Sequence, residues 1–117
     1  MKLSVRSDEN GVVRLVNEGE IRLSDQLRSG AIVEDLLGPD CYARKVLLDL
    51  GHTSYIDSAG VGWLVKLHKQ CQQAGGLLVL HSLPPGILAI LRLLHMERFL
   101  NIVDDEQAAS AMAKGEG

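Results

Sequence analysis

Apolar and polar positions along the chain group into short segments that predict strands and helices in alternation. Two opening strands, at residues 3–7 and 12–17, flank Asn10 and Gly11, a residue pair typical of tight hairpin turns. Three further strands are predicted from their apolar character, at residues 46–50, 77–81 and 99–103.

Residues that cap or stop helices mark four helices between and after these strands. The first begins at Ser24 and Asp25 and runs to about Leu37, before the stop at residues 38–39. The other three are predicted at residues 58–74, from Gly86 to about Met96, and after Asp104 and Asp105.

This alternation, after an opening hairpin, requires a largely parallel sheet covered by helices. We therefore predict an α/β fold, a mixed and mainly parallel sheet with about four helices. No linker or repeat divides the sequence, so residues 1–114 are expected to form a single domain and residues 115–117 a disordered tail.

Composition and charge narrow the possible functions. The 117 residues are 46% hydrophobic and carry net charge −3 without a basic run, which disfavours nucleic acid and anionic membrane surfaces as partners. Cys41 and Cys71 lack CxxC spacing, which fits a reducing cytoplasm. The longest aliphatic run, residues 87–91, is too short for a membrane span, so we expect a cytoplasmic protein without membrane insertion.

The sequence contains no recognisable catalytic constellation. Ser58 is not in a GxSxG turn, and no phosphate-binding loop is present. His68 and Cys71 lie three positions apart on a predicted helix, where core packing is favoured over a metal site. We therefore expect a protein that is not an enzyme, with no catalytic residue, cofactor or metal.

Ser58 is the candidate for function. It follows the strand 46–50, a polar loop at 51–56 and Asp57, and it opens the second helix. The carboxyl end of a strand in an open α/β sheet is where ligands and partners usually bind. Either Ser58 caps the helix, or Asp57 does so and the Ser58 hydroxyl faces solvent, where phosphorylation could switch partner binding.

The chain resembles the anti-sigma factor antagonists, single-domain bacterial members of the STAS family, over essentially its whole length. The resemblance is carried by Asp49-Leu50, then Ile56-Asp57-Ser58-Ala59-Gly60-Val61-Gly62, then Gly76-Leu77-Leu78-Val79-Leu80, and the ending Phe99-Leu100-Asn101-Ile102-Val103-Asp104. It implies a STAS fold and partner switching. An anti-sigma factor that is also a serine kinase would bind the unphosphorylated protein and phosphorylate Ser58, and a PP2C-type phosphatase would reverse this.

Arg22 departs from the pattern of that family. Members often carry Gly-Glu-(apolar)-Asp after the second strand, whereas residues 19–22 place arginine at the last position. Arg22 could pair with Asp57 or with a phosphate on Ser58, or it could be a solvated surface side chain. The expected partner-binding residues are Arg22, Asp57, Ser58, Ala59, Gly60, Gly62 and Trp63.

Trp63 is the expected anchor of that surface, because helical spacing turns it away from the predicted core stripe. That stripe consists of Val61, Leu64, Val65, His68 and Cys71. The alternative is that the Trp63 ring folds over the edge of the core. Leu67 and the surplus apolar side of the helix after Gly86 could extend the contact surface.

A second function fits the same resemblance. STAS domains also occur as unmodified docking subunits in stressosome-like assemblies and in a lipid-transport ABC complex. A nucleotide-binding module at the same helix is the least favoured alternative, because a glycine-rich phosphate loop is missing.

Overall fold

The computed structural model describes residues 2–22 and 32–115. Five strands form one sheet in the order β1-β2-β3-β4-β5, with β1 antiparallel to β2 and the remaining pairs parallel. The strands are β1 (Lys2–Glu9), β2 (Val12–Ile21), β3 (Lys45–Ile56), β4 (Leu77–His81) and β5 (Asn101–Val103).

Four α-helices lie in the described part of the chain, and the predicted α/β class with its opening hairpin is confirmed. They are α1 (Ile32–Leu37), α2 (Ser58–Gln73), α3 (Pro85–Leu93) and α4 (Glu106–Ala113). Short 3-10 helices occur at Cys41–Ala43 and Met96–Arg98. The predicted cap at Ser24 and Asp25 lies outside the described residues.

The β1–β2 hairpin closes through Asn10 and Gly11, as predicted. Both residues have positive φ, 55° and 76°. Two successive positive φ angles match the twist of a two-residue hairpin, and asparagine and glycine are the residues that tolerate them best.

Strand β3 is longer than predicted, and the expected loop at residues 51–56 is wrong. Strand β2 also continues past Asn17, so β3 keeps a parallel partner as far as the Ile21–Ile56 pair. Thr53 and Ile56 are buried along this extension, and Asn17 donates a hydrogen bond of 2.9 Å to the Thr53 hydroxyl. Residues 51–56 are mostly polar because exposed positions lie between the buried ones. Pairing with β2 keeps this segment extended.

The two faces of the sheet have separate cores. Leu48 and Leu50 of β3 point into the main cluster, which includes buried side chains of α1, α2 and α3. Leu47 points to the opposite face and packs with Val79, Ala109 and Ala113, where α4 covers the sheet. Strand β3 is therefore buried on both faces, which explains its nearly continuous apolar start.

Two predicted boundaries near the C-terminus are wrong. Helix α3 ends at Leu93 rather than near Met96, because His95 adopts a left-handed conformation with φ of 58°. Strand β5 begins at Asn101, after the 3-10 turn, instead of at Phe99. Within the described ranges, no helix has both the length and the apolar character to cross a membrane.

Candidate functional site

Ser58 is the first residue of α2 and is exposed, while Asp57 caps the helix. The Asp57 carboxylate accepts a hydrogen bond of 2.7 Å from the backbone N–H of Gly60. This carboxylate satisfies one of the backbone donors that a helix leaves unpaired at its start. Of the two alternatives for this segment, the structure therefore selects Asp57 as the cap and leaves the Ser58 hydroxyl on the surface.

The end of β2 fixes the position of the capping segment. Ile21 pairs with Ile56 across the parallel strands, and the Ile21 carbonyl accepts a hydrogen bond of 3.2 Å from the N–H of Asp57. Arg22 follows Ile21 just as Asp57 follows Ile56. Arg22 therefore directly follows the carbonyl to which the Asp57 N–H donates at the start of α2.

Gly60 is a packing residue, which corrects its expected place on the partner-binding surface. It is buried, and a Cβ atom there would lie 2.5 Å from the Ile21 carbonyl oxygen and 2.8 Å from Ile56 Cγ1. Only glycine allows α2 to approach the end of β2 this closely. Gly62 is exposed and a Cβ atom there would meet nothing within 4 Å, so it remains a candidate contact residue.

Trp63 belongs to the core, so its expected role as an exposed anchor is wrong. Its side chain is only 8% exposed and is part of the main cluster. Leu67, expected to extend the same surface, is also buried. The buried arc of α2 therefore includes these two residues, and Val65 is only partly buried.

Arg22 lies in a small polar group on the surface with Glu20 and Tyr55. Its Nε atom is 2.6 Å from a carboxylate oxygen of Glu20, and its guanidinium carbon is 5.3 Å from the centre of the Tyr55 ring. Glu20 and Tyr55 are themselves neighbours in the register of β2 and β3. The prediction from sequence missed both, because it placed Tyr55 in a loop; extending the β2–β3 pairing would have revealed their proximity.

A second group of charged residues lies on the sheet face that α4 covers. Arg6 donates a hydrogen bond of 2.9 Å to Asp49 and lies 3.4 Å from Glu106 of α4. Asp49 is the cross-strand neighbour of His81, which is 1% exposed and whose Nδ1 lies 2.8 Å from the Ser82 hydroxyl oxygen. These contacts join β1, β3, β4 and α4.

The pKa values of Asp49 and His81 are both lowered, but for different reasons. Desolvation by burial would raise the pKa of Asp49, but hydrogen bonds from the Gly51 N–H and Arg6, with the nearby charges of His81 and Arg6, lower it below its usual value. Desolvation lowers the pKa of His81, and the carboxylates of Asp49 and Glu106 only partly oppose this. These shifts favour the ionised form of Asp49 and the neutral form of His81.

His68 and Cys71 are core residues, as predicted, and Cys41 is buried as well. Desolvation by burial, with a smaller effect from Cys41, raises the pKa of Cys71 to about 11. A thiol with such a pKa is a poor nucleophile at neutral pH. In residues 2–22 and 32–115, His, Cys, Asp and Glu side chains form no group of three or more that could hold a metal ion.

The surplus apolar side of α3 is exposed, but it lies away from Ser58. Leu93 is 79% exposed, and Phe99, in the turn that follows, is 62% exposed. Helix α3 follows β4 and precedes the parallel strand β5, so its end lies at the amino edge of the sheet. Ser58 follows the carboxyl end of β3, at the opposite edge, so the two surfaces are separate.

The family is established by comparison with known proteins. The STAS domain profile matches residues 7–109, and the chain belongs to the STAS domain family. BtrV of Bordetella bronchiseptica, whose name assigns it provisionally as an anti-sigma factor antagonist, is 34% identical over 71 residues. That match covers 61% of this chain and 61% of BtrV.

Solved structures show the same fold at lower identity. TM1081 from Thermotoga maritima, provisionally described as an anti-sigma factor antagonist, superposes with a TM-score of 0.82 at 22% identity, covering 96% of this chain and 94% of TM1081. The anti-sigma factor antagonist SpoIIAA, in its unphosphorylated form, gives a TM-score of 0.72 at 14% identity and covers 97% of both chains. These similarities confirm the STAS fold that the sequence predicted.

Proposed function

We propose that this protein is an anti-sigma factor antagonist that acts by partner switching at Ser58. Unphosphorylated, it binds an anti-sigma factor that is also a serine kinase, and the sigma factor is released. Phosphorylation of Ser58 ends the complex, and a PP2C-type phosphatase restores the binding form. The protein works in the bacterial cytoplasm by binding and is not itself an enzyme. Membership of the STAS family and the similarity to BtrV support this function.

The observation that carries the proposal is the division of roles between Asp57 and Ser58. Because Asp57 supplies the helix cap, the Ser58 hydroxyl is exposed at the start of α2 and is not needed to hold the fold. A kinase can therefore modify Ser58 without unfolding the domain. Among the expected contact residues, Arg22 and Gly62 are exposed, and Asp57 and Ala59 are half-buried.

Phosphorylation would add negative charge and bulk to this surface while leaving the Asp57 helix cap in place. The kinase transfers the γ-phosphoryl group of ATP to Ser58 Oγ: a new O–P bond forms, the bond from the γ-phosphorus to the leaving ADP oxygen breaks, and the hydroxyl proton passes to a base of the kinase. The product carries roughly −1.5 to −2 charge next to the Asp57 carboxylate. A partner surface complementary to the neutral serine then meets two adjacent negative groups and dissociates.

The test is phosphorylation by a serine kinase encoded next to this protein in its genome. Purified protein is incubated with that kinase and ATP, the phosphate is located by mass spectrometry, and complex formation is measured by calorimetry. We expect phosphate on Ser58, retained binding for Ser58→Ala, and binding weakened at least tenfold for Ser58→Asp.

Ser54 provides a matched control, since it is an exposed serine on the strand that leads to the site. Ser54→Ala should be phosphorylated as wild type, and Ser54→Asp should bind as wild type. Phosphate on another residue, or equal affinity of the Ser58→Asp variant, would refute partner switching at Ser58. Tight binding that no phosphorylation alters would instead support the unmodified docking subunit.

A further inference from the structure

We propose that Arg22 is an intramolecular partner of phosphorylated Ser58, exchanging its Glu20 contact for the phosphate. This inference rests on the proposed function in one respect, since it concerns Ser58 in its phosphorylated form. Arg22 would then set how long the phosphorylated state lasts.

The backbone register brings the two residues within reach of one another. The hydrogen bond from the Asp57 N–H to the Ile21 carbonyl continues the β2–β3 pairing to the start of α2. Neighbouring strands lie ~4.8 Å apart and consecutive Cα atoms 3.8 Å apart, so the Cα atoms of Arg22, one residue past Ile21, and Ser58, two residues past Ile56, are on the order of 10 Å apart. An arginine and a phosphoserine, both extending from the surface, can span that separation.

The side chain of Arg22 is at the surface, about half exposed. The guanidinium pairs with Glu20 at 2.6 Å and lies over the Tyr55 ring. The Glu20 side chain is also about half exposed. An exposed ion pair between arginine and glutamate contributes little to stability and is easily exchanged. A phosphate offers more charge and more acceptor oxygens than Glu20, and guanidinium binds it bidentately.

Arg22 would offset the repulsion between a phosphate on Ser58 and the nearby carboxylates. Asp57 and Glu20 are acidic and oppose a phosphate. Arg22 is a cation that directly follows Ile21, the residue whose carbonyl accepts the hydrogen bond from the Asp57 N–H. Moving the guanidinium from Glu20 to the phosphate offsets the repulsion from Asp57. The phosphate on Ser58 is thereby held by Arg22 and is less accessible to a phosphatase.

The experiment installs phosphoserine at position 58 during translation, so that it depends on no kinase. The second pKa of the phosphate, ordinarily about 6, is followed by ³¹P NMR in wild type and in variants of the surrounding charges. In Arg22→Gln we expect this pKa to be higher than in wild type by about half a unit, a threefold change in proton affinity typical of an exposed charge pair. Arg22→Lys should lie between the two, because it keeps the charge and loses the bidentate geometry.

Two further variants separate a specific contact from a general charge effect. Glu20→Gln should lower the phosphate pKa below that of wild type, because the competing carboxylate is gone. Arg92→Gln removes an exposed arginine on α3 and should leave it unchanged. Removal of the phosphate by alkaline phosphatase should be roughly threefold faster for Arg22→Gln than for wild type or Arg92→Gln.

Equal phosphate pKa values in wild type and Arg22→Gln would overturn the inference, as would equal shifts in Arg22→Gln and Arg92→Gln. Because the phosphoserine is installed directly, these results are independent of whether a kinase modifies Ser58. Failure of the kinase experiment with a positive pKa result would reject partner switching alone. The reverse result would reject only the role of Arg22.

Discussion

The carboxylate of Asp57 and the backbone N–H of Gly60 are joined by a hydrogen bond of 2.7 Å, and this bond decides what Ser58 can do. Had the serine hydroxyl occupied the same position, a phosphate would have removed the helix cap. With the aspartate as the cap, the two tasks of holding α2 and of offering a hydroxyl are divided between adjacent residues.

Asp57→Ala should therefore destabilise the domain by about 1 kcal/mol, the usual cost of losing a helix cap. The measurement is urea unfolding followed by circular dichroism. Ser58→Ala is the matched control and should change the free energy of unfolding by a few tenths of a kcal/mol at most. A larger loss for Ser58→Ala than for Asp57→Ala would reverse the assigned roles.

Gly60 and Gly62 lie two positions apart on α2 and should respond in opposite directions to the same change. Gly60→Ala places a Cβ atom 2.5 Å from the Ile21 carbonyl, a backbone atom that cannot easily move, and should destabilise by about 1–3 kcal/mol. Gly62→Ala meets open space and should stabilise by about 0.5–1 kcal/mol through helix propensity. Chemical denaturation of both variants tests this, and a neutral Gly60→Ala would show that α2 can shift from β2.

Trp63→Ala should destabilise the domain by about 3–5 kcal/mol, because a large buried side chain leaves a cavity. The loss is measured by chemical denaturation, with Lys66→Ala as the control on an exposed position of the same helix. A stable Trp63→Ala domain with weakened partner binding would restore the interface role that the structure contradicts.

Stability should fall as the pH drops below about 6.5, because of His81. Burial lowers the pKa of His81 in the folded protein below its ordinary value of 6.5, so the unfolded chain takes up a proton first. The contribution of His81 is fully present above pH 6.5 and is lost as the pH falls toward the folded pKa. Asp49 has a folded pKa below 3.8, so its contribution to stability is present above that pH and is lost as the pH falls through the folded pKa.

Denaturation midpoints between pH 5 and pH 8 check this expectation. His81→Gln should flatten the pH dependence whatever its effect on absolute stability. The exposed His52→Gln variant should keep the slope of wild type. A wild-type slope that survives in His81→Gln would assign the pH dependence to another group.

The local sequence determined much of this fold. Asn10-Gly11 specifies the hairpin by its tolerance of positive φ, and the predicted strand at residues 77–81 matches β4. Asp105 caps α4 as its position suggested, accepting a hydrogen bond of 2.8 Å from the N–H of Ala108. These features depend on interactions between residues close in the chain, which a sequence pattern records directly.

The tertiary structure alone decided the features that depend on contacts between segments distant in the chain. Residues 51–56 are strand because β2 extends alongside them, and Trp63 is buried because neighbouring elements cover that side of α2. Arg22, Glu20 and Tyr55 meet through the same pairing, and Arg6 reaches Asp49 from an edge strand. Helical spacing gives the direction of a side chain relative to its own helix, but burial depends on what packs there, and strand register is set by partners far away in sequence.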